Sequence, residues 1–132
     1  MTFEYPQAWS VALTSGSREG LHFFLAEGRC EGRITGSMQG ANHPAQRGDG
    51  TFCPDFHGAI STDDGAAVLF HLGGYGRVHP EGARQIVSWV THISDDDRYR
   101  WLNDVVCVGT GEVRPDLLTI DIAELVWEPP NL

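Results

Sequence analysis

The sequence predicts an all-β fold, an antiparallel up-and-down barrel of about eight to ten strands around a central cavity. Three observations predict it. Apolar residues fall into many short runs rather than long periodic ones. Sixteen glycines and seven prolines interrupt those runs and favour turns and strands over long helices. Asp63-Asp64-Gly65 stands between two such runs, and an Asp-Gly pair so flanked is a strong hairpin signal.

The elements follow in order. Residues 9–14 read as a first strand and 15–20 as a polar turn. Residues 21–26 and 29–35 read as two strand segments broken at Glu27-Gly28. The stretch 36–50 is rich in Gly, Asn, Pro and Asp and is expected to be a long loop or a loosely paired edge. Residues 55–62 and 66–72 form the Asp-Gly hairpin, and 73–80 read as a second glycine-rich turn. The β-branched and aromatic Ile86-Val87-Ser88-Trp89-Val90-Thr91 makes 81–94 a strand. An acidic turn at 95–97, a strand over 101–108, a Pro turn at 114–116 and a strand over 117–127 complete the chain. No repeat or linker divides it, so residues 1–132 are expected to be a single domain.

Charge and composition exclude several function classes. The formal net charge is −9, no Lys occurs and every basic residue is Arg. Nucleic-acid binding needs a basic stripe, and an acidic surface repels anionic lipid, so neither partner is expected. Without Lys there is no Schiff-base lysine and no P-loop lysine. No Gly-x-Ser-x-Gly element is present either. Cys30, Cys53 and Cys107 form no paired framework, and residues 1–9 lack a signal-peptide core, so a cytoplasmic location is expected.

Strand faces frame the chemistry. By the period of two, Phe56, Ile60, Val68, Phe70 and Leu72 share one face of the hairpin, and Asp55, His57, His71 and Gly73 share the other. Leu102, Val106 and Val108 likewise alternate with Trp101, Asn103, Val105 and Cys107. The mixed face is the outside of an ordinary half-solvated sheet or the lining of a ligand barrel. Its combination of polar residues with Trp and Cys favours the lining.

Four segments, in order, carry a resemblance to a family. They are Gly32-Arg33-Ile34-Thr35-Gly36-Ser37; Arg47-Gly48-Asp49-Gly50; Ser61-Thr62-Asp63-Asp64-Gly65-Ala66; and Tyr99-Arg100-Trp101-Leu102-Asn103, followed by Gly109-Thr110-Gly111-Glu112. Over roughly residues 20 to 127 the chain resembles domain-of-unknown-function family 3237, also called uncharacterised protein family 0311. The resemblance implies a closed, calycin-like (lipocalin-like) β-barrel and no established activity. Where relatives tend to have Arg-Tyr before the Asp-Asp-Gly turn, this chain has His57-Gly58. A cavity lined by that strand would be wider and differently charged.

Asp55 and His57 are the expected catalytic pair, since a carboxylate beside an imidazole suits general acid–base chemistry. His71, Tyr75, Arg77, Trp101 and Asn103 are the expected substrate-binding residues, Arg77 and Tyr75 from the glycine-rich turn, Trp101 as a flat wall and Asn103 as a polar anchor. The six histidines show no HxH or HExxH spacing; His57 and His71 could approach across the hairpin and make a carboxylate–histidine set with Asp55, but neither a stoichiometric metal nor another cofactor is expected. The favoured function is a cofactor-independent cyclase, isomerase or lyase acting on a small molecule in the cavity. The alternative is a non-catalytic ligand carrier. The partner in either case is a small molecule, with a homodimer allowed.

Overall fold

The computed structural model describes residues 1–14, 16–78, 84–115 and 117–131. The strands are β1 (Thr2–Ala12), β2 (Gly20–Cys30), β3 (Gly36–Asn42), β4 (Ala45–Gln46), β5 (Phe52–Cys53), β6 (Asp55–Thr62), β7 (Ala67–Val78), β8 (Arg84–Ile93), β9 (Val106–Val113) and β10 (Leu118–Glu124). One short 3-10 turn, Arg100–Asp104, precedes β9. Eight long strands pair antiparallel in the circuit β1-β2-β3-β6-β7-β8-β9-β10, and β10 returns to β1 to close the barrel. The short β4 and β5 link β2 to β7. The predicted closed antiparallel barrel is the observed fold. Among the described residues no helix is long and apolar enough to cross a membrane.

The hairpin 55–62/67–78 forms where Asp63-Asp64-Gly65 predicts it, and Gly65 takes a positive φ of 93° there. Several other boundaries differ from expectation. β1 starts at Thr2, well before residue 9, and its register with β2 shifts between Glu4 and Gln7, where Pro6 lacks the N–H a ladder needs. β2 runs unbroken through Glu27-Gly28. Gly28 is not a turn residue: a Cβ there would stand 2.2 Å from the Thr2 carbonyl oxygen, so the glycine admits β1.

The expected loop over 36–50 is mostly strand, because β3 is paired on both sides, to β2 and to β6. The expected turn at 73–80 is the second half of β7 as far as Val78; residues 79 and 80 lie outside the described residues. Here too a glycine serves packing, since the Trp89 ring lies across Gly73 and a Cβ would meet it at 2.4 Å. Trp101 and Asn103, expected on a strand, belong to the 3-10 turn. The turn at 114–116 closes through exchanged backbone hydrogen bonds of Arg114 and Leu117, with Asp116 outside the described residues.

The apolar core lies inside the barrel. Phe3, Met38, Phe56, Val68, Leu72 and Ile120 are essentially fully buried. Phe56 stacks on Phe70 at 5.3 Å and meets Phe3 edge-on at 5.4 Å. Such aromatic pairs add to the burial free energy that drives closure.

Candidate functional site

The alternation of β6 and β7 decides where the expected catalytic pair sits. Phe56, Ile60, Val68, Phe70 and Leu72 point inward and are at most 4% exposed. Their odd-numbered neighbours must then point outward. Asp55 and His57 therefore lie on the outer surface, with side chains 58% and 60% exposed, and do not face the cavity as expected. The burial of five apolar side chains outweighs any preference of one Asp and one His.

The pair nevertheless belongs to a defined cluster. His57 faces His71 directly across the hairpin, with rings stacked at 3.9 Å. Nε2 of each ring is 3.0 Å from Asp55 Oδ1. Hydrogen bonding from His71, joined by that from His57, holds the Asp55 carboxyl below the usual carboxylate range against an opposing effect of burial that exceeds the His57 contribution alone. Trp89 meets the His71 ring edge-on at 4.9 Å.

The other expected binding residues do not converge on this cluster. Tyr75 is half exposed on the same outer face of β7, with the Arg47 guanidinium 5.6 Å from its ring centroid. Arg77 donates through Nη2 to Gln85 Oε1 at 2.9 Å. Asn103 acts as a clamp: its Nδ2 donates to the Ser94 carbonyl at 2.9 Å, and its Oδ1 accepts from the Ser94 N–H at 2.8 Å. Tyr99 donates its hydroxyl to Asp64 Oδ2 at 2.7 Å, and Thr62 donates to Asp64 Oδ1 at 2.6 Å. Two segments of the family resemblance thus meet in space, and together they hold the 3-10 turn against the β6–β7 hairpin.

That turn forms the mouth of an interior cavity of about 290 Å³. Cys30, Ile60, Phe70, His92, Leu102 and Cys107 line it, together with Trp101 and the charged Glu31, Arg33, Asp121 and Glu124. The Arg33 guanidinium lies 4.0 Å from the Trp101 ring centroid and pairs with Glu124 at 3.0 Å. His92 was not singled out by the sequence. The signal was available, because Ile86, Ser88, Val90 and His92 alternate along β8 and all are buried. His92 Nδ1 is buried with no hydrogen-bond partner among the described residues. Burial pushes its pKa down, so the ring is neutral at neutral pH. Burial likewise raises the Cys30 and Cys107 thiols, which keeps them protonated and inert.

A second cavity of about 260 Å³ lies among Phe3, Tyr5, Phe24, Phe52 and Phe56, and Ile120 lines both cavities. Its polar groups are already engaged. Asn42 donates to the Tyr5 hydroxyl at 2.9 Å, and burial pushes Tyr5 up to about 12. Arg84 lies over the Phe52 ring and donates to the Gly50 and Gly76 carbonyls at 3.0 and 3.3 Å.

These features define a closed antiparallel β-barrel with two interior cavities, one of them containing an unsatisfied imidazole. The chain belongs to the DUF3237 family, described as proteins of unknown function, whose profile matches residues 2–125. No curated protein matches it. Solved structures share the fold. A β-barrel-like protein of Acinetobacter baumannii AYE is 17% identical with a TM-score of 0.75, covering 93% of this chain and 89% of that one. A conserved protein of unknown function from Rhodopseudomonas palustris is 19% identical with a TM-score of 0.78, covering 95% and 91%. A protein of unknown function from Clostridium acetobutylicum ATCC 824 is 16% identical with a TM-score of 0.80, covering 95% and 94%.

Proposed function

We propose that the barrel binds a small molecule with an apolar body and one hydrogen-bond donor, in the cavity beneath the 3-10 turn. The observation that carries this reading is His92: a buried, neutral imidazole with an unpartnered Nδ1, in a pocket whose lining combines Ile60, Phe70, Leu102 and Ile120 with the charged Glu31, Arg33, Asp121 and Glu124. A buried polar nitrogen without a partner costs about 1–3 kcal/mol, and in the tautomer that leaves Nδ1 unprotonated a ligand that donates to it relieves that cost. Size narrows the class. An apolar cavity of roughly 150 Å³ accommodates benzene. The 290 Å³ here suits a two-ring molecule. Trp101, under Arg33, supplies a flat wall at the entrance.

This reading favours the carrier over the enzyme, since the expected acid–base pair is on the outside. One observation supports an enzyme: the neutral His92 in the cavity is itself a proton acceptor. Calorimetric titration with 2-naphthol tests the reading, and unchanged 2-naphthol recovered after incubation supports the carrier. Failure to bind 2-naphthol and similar bicyclic phenols at millimolar concentration sinks it.

The unpaired thiols support a reducing, cytoplasmic compartment. The excess of acidic residues disfavours nucleic acid and anionic membrane as partners. Exposed Val87, Trp89, Val106 and Val108 on neighbouring β8 and β9 favour self-association, which light scattering on the purified protein reads directly.

A further inference from the structure

We propose that Asp55, His57 and His71 bind a divalent first-row cation, zinc by preference, on the outer wall of the barrel. The three ligand atoms lie within 4.8 Å of one another. Zinc binds imidazole nitrogen and carboxylate oxygen at about 2.0–2.2 Å. Two such ligands on one ion are then roughly 3.0 Å apart at a right angle and roughly 3.4 Å apart at the tetrahedral angle. Each Nε2 is 3.0 Å from Asp55 Oδ1, so both nitrogen–oxygen edges are already at ligand spacing. Seating an ion asks for an outward rotation chiefly of the exposed His57 ring, since His71 is half-buried.

The backbone beneath the set is hydrogen-bonded on both sides. The Asp55 N–H donates to Asn42 Oδ1 at 3.1 Å, and its carbonyl accepts from the His43 N–H at 3.0 Å. His57 and His71 are direct partners in a central strand pair. Trp89, seated over Gly73, packs edge-on against His71 and limits its swing. Preformed strands lower the ordering cost that makes most exposed sites weak.

Donor chemistry selects the ion. Two imidazoles with one carboxylate suit zinc, copper, nickel and iron, whereas magnesium and calcium favour all-oxygen sets. A net charge of −9 raises the local cation concentration. With three protein ligands the fourth zinc position stays open to water or to a small anion. The exposure of the cluster leaves that position accessible. The site faces away from the interior cavity and does not depend on the ligand reading above.

The test is zinc titration by calorimetry on EDTA-treated full-length protein, with copper(II) as a spectroscopic probe. One zinc per chain is expected. Asp55→Ala, His57→Gln and His71→Gln should each weaken binding by at least about 100-fold, the upper range for loss of a mere outer-shell partner. His43→Gln should bind as the parent does. Copper(II) should show nitrogen hyperfine coupling from two imidazoles, falling to one in His57→Gln. No stoichiometric zinc overturns the proposal. Zinc binding unchanged in all three ligand variants also overturns it, as does a copper spectrum without imidazole nitrogen. Measuring 2-naphthol affinity with and without zinc separates failure of this site from failure of the cavity.

Discussion

Replacing His92 by Leu isolates the group on which the cavity reading rests. His92 is 7% exposed, its Nδ1 has no partner among the described residues, and it shares the cavity lining with Ile60, Phe70, Leu102 and the Cys30 and Cys107 thiols. In the parent protein 2-naphthol should donate its hydroxyl to that nitrogen, whereas naphthalene leaves it unsatisfied. A new neutral hydrogen bond contributes about 0.5–1.5 kcal/mol net, and relief of a buried unsatisfied group about 1–3 kcal/mol. The parent should therefore prefer 2-naphthol over naphthalene by about tenfold to a hundredfold. In His92→Leu the hydroxyl is buried without a partner and the preference should vanish or reverse. Leu is similar in volume and has no unsatisfied atom, so folding stability at pH 7 should hold or rise. Calorimetric competition between the two ligands on both proteins supplies the four affinities. An undiminished preference in His92→Leu would show that the donor is recognised elsewhere and would refute the argument.

The same residue should shape acid stability. Burial lowers the folded-state pKa of His92 below its ordinary 6.5, so between those two values the unfolded chain binds a proton that the folded chain does not. Stability should then fall as pH drops below about 6.5, and His92→Leu should flatten that part of the profile in urea melts; parallel profiles would contradict the assignment. Gly58→Ala should cost about 1–3 kcal/mol, because a Cβ would stand 2.4 Å from the Phe70 ring inside a packed core. Denaturant midpoints measure this, and a neutral result would mean the ring has room to move. Asn103→Ala removes both bonds to the Ser94 backbone and should cost about 1–3 kcal/mol while loosening the cavity mouth, read as faster ligand dissociation. Asp55→Asn and His57→Gln should shift stability by less than about 0.5 kcal/mol and leave 2-naphthol affinity unchanged, since both side chains are exposed and outside.

Much of this protein is legible from the chain alone, and the reasons are local. The all-β fold follows from short apolar runs cut by glycine and proline, and the central hairpin from Asp63-Asp64-Gly65 with period-two alternation on either side. Alternation also sorted Asp55, His57 and His71 onto one face, apart from Phe56, Phe70 and Leu72. Which face becomes the interior is another matter. It depends on how eight strands close, because only closure defines an inside, and the larger apolar set then occupies it. That is why the acid–base pair emerged on the outer wall. Gly73 reads as a turn residue and Gly28 as a strand break from their sequence neighbours, yet each is a strand position crossed by a partner, the Trp89 ring or β1. Trp101 left its predicted strand for a 3-10 turn held by Tyr99, Asp64, Asn103 and Ser94, contacts that span up to 35 residues. His92 had the right parity on a correctly predicted strand, but a buried nitrogen without a partner is a property of the surrounding barrel. Long-range packing decides both the faces and the unsatisfied groups, and a single sequence carries that information only once its strands are joined.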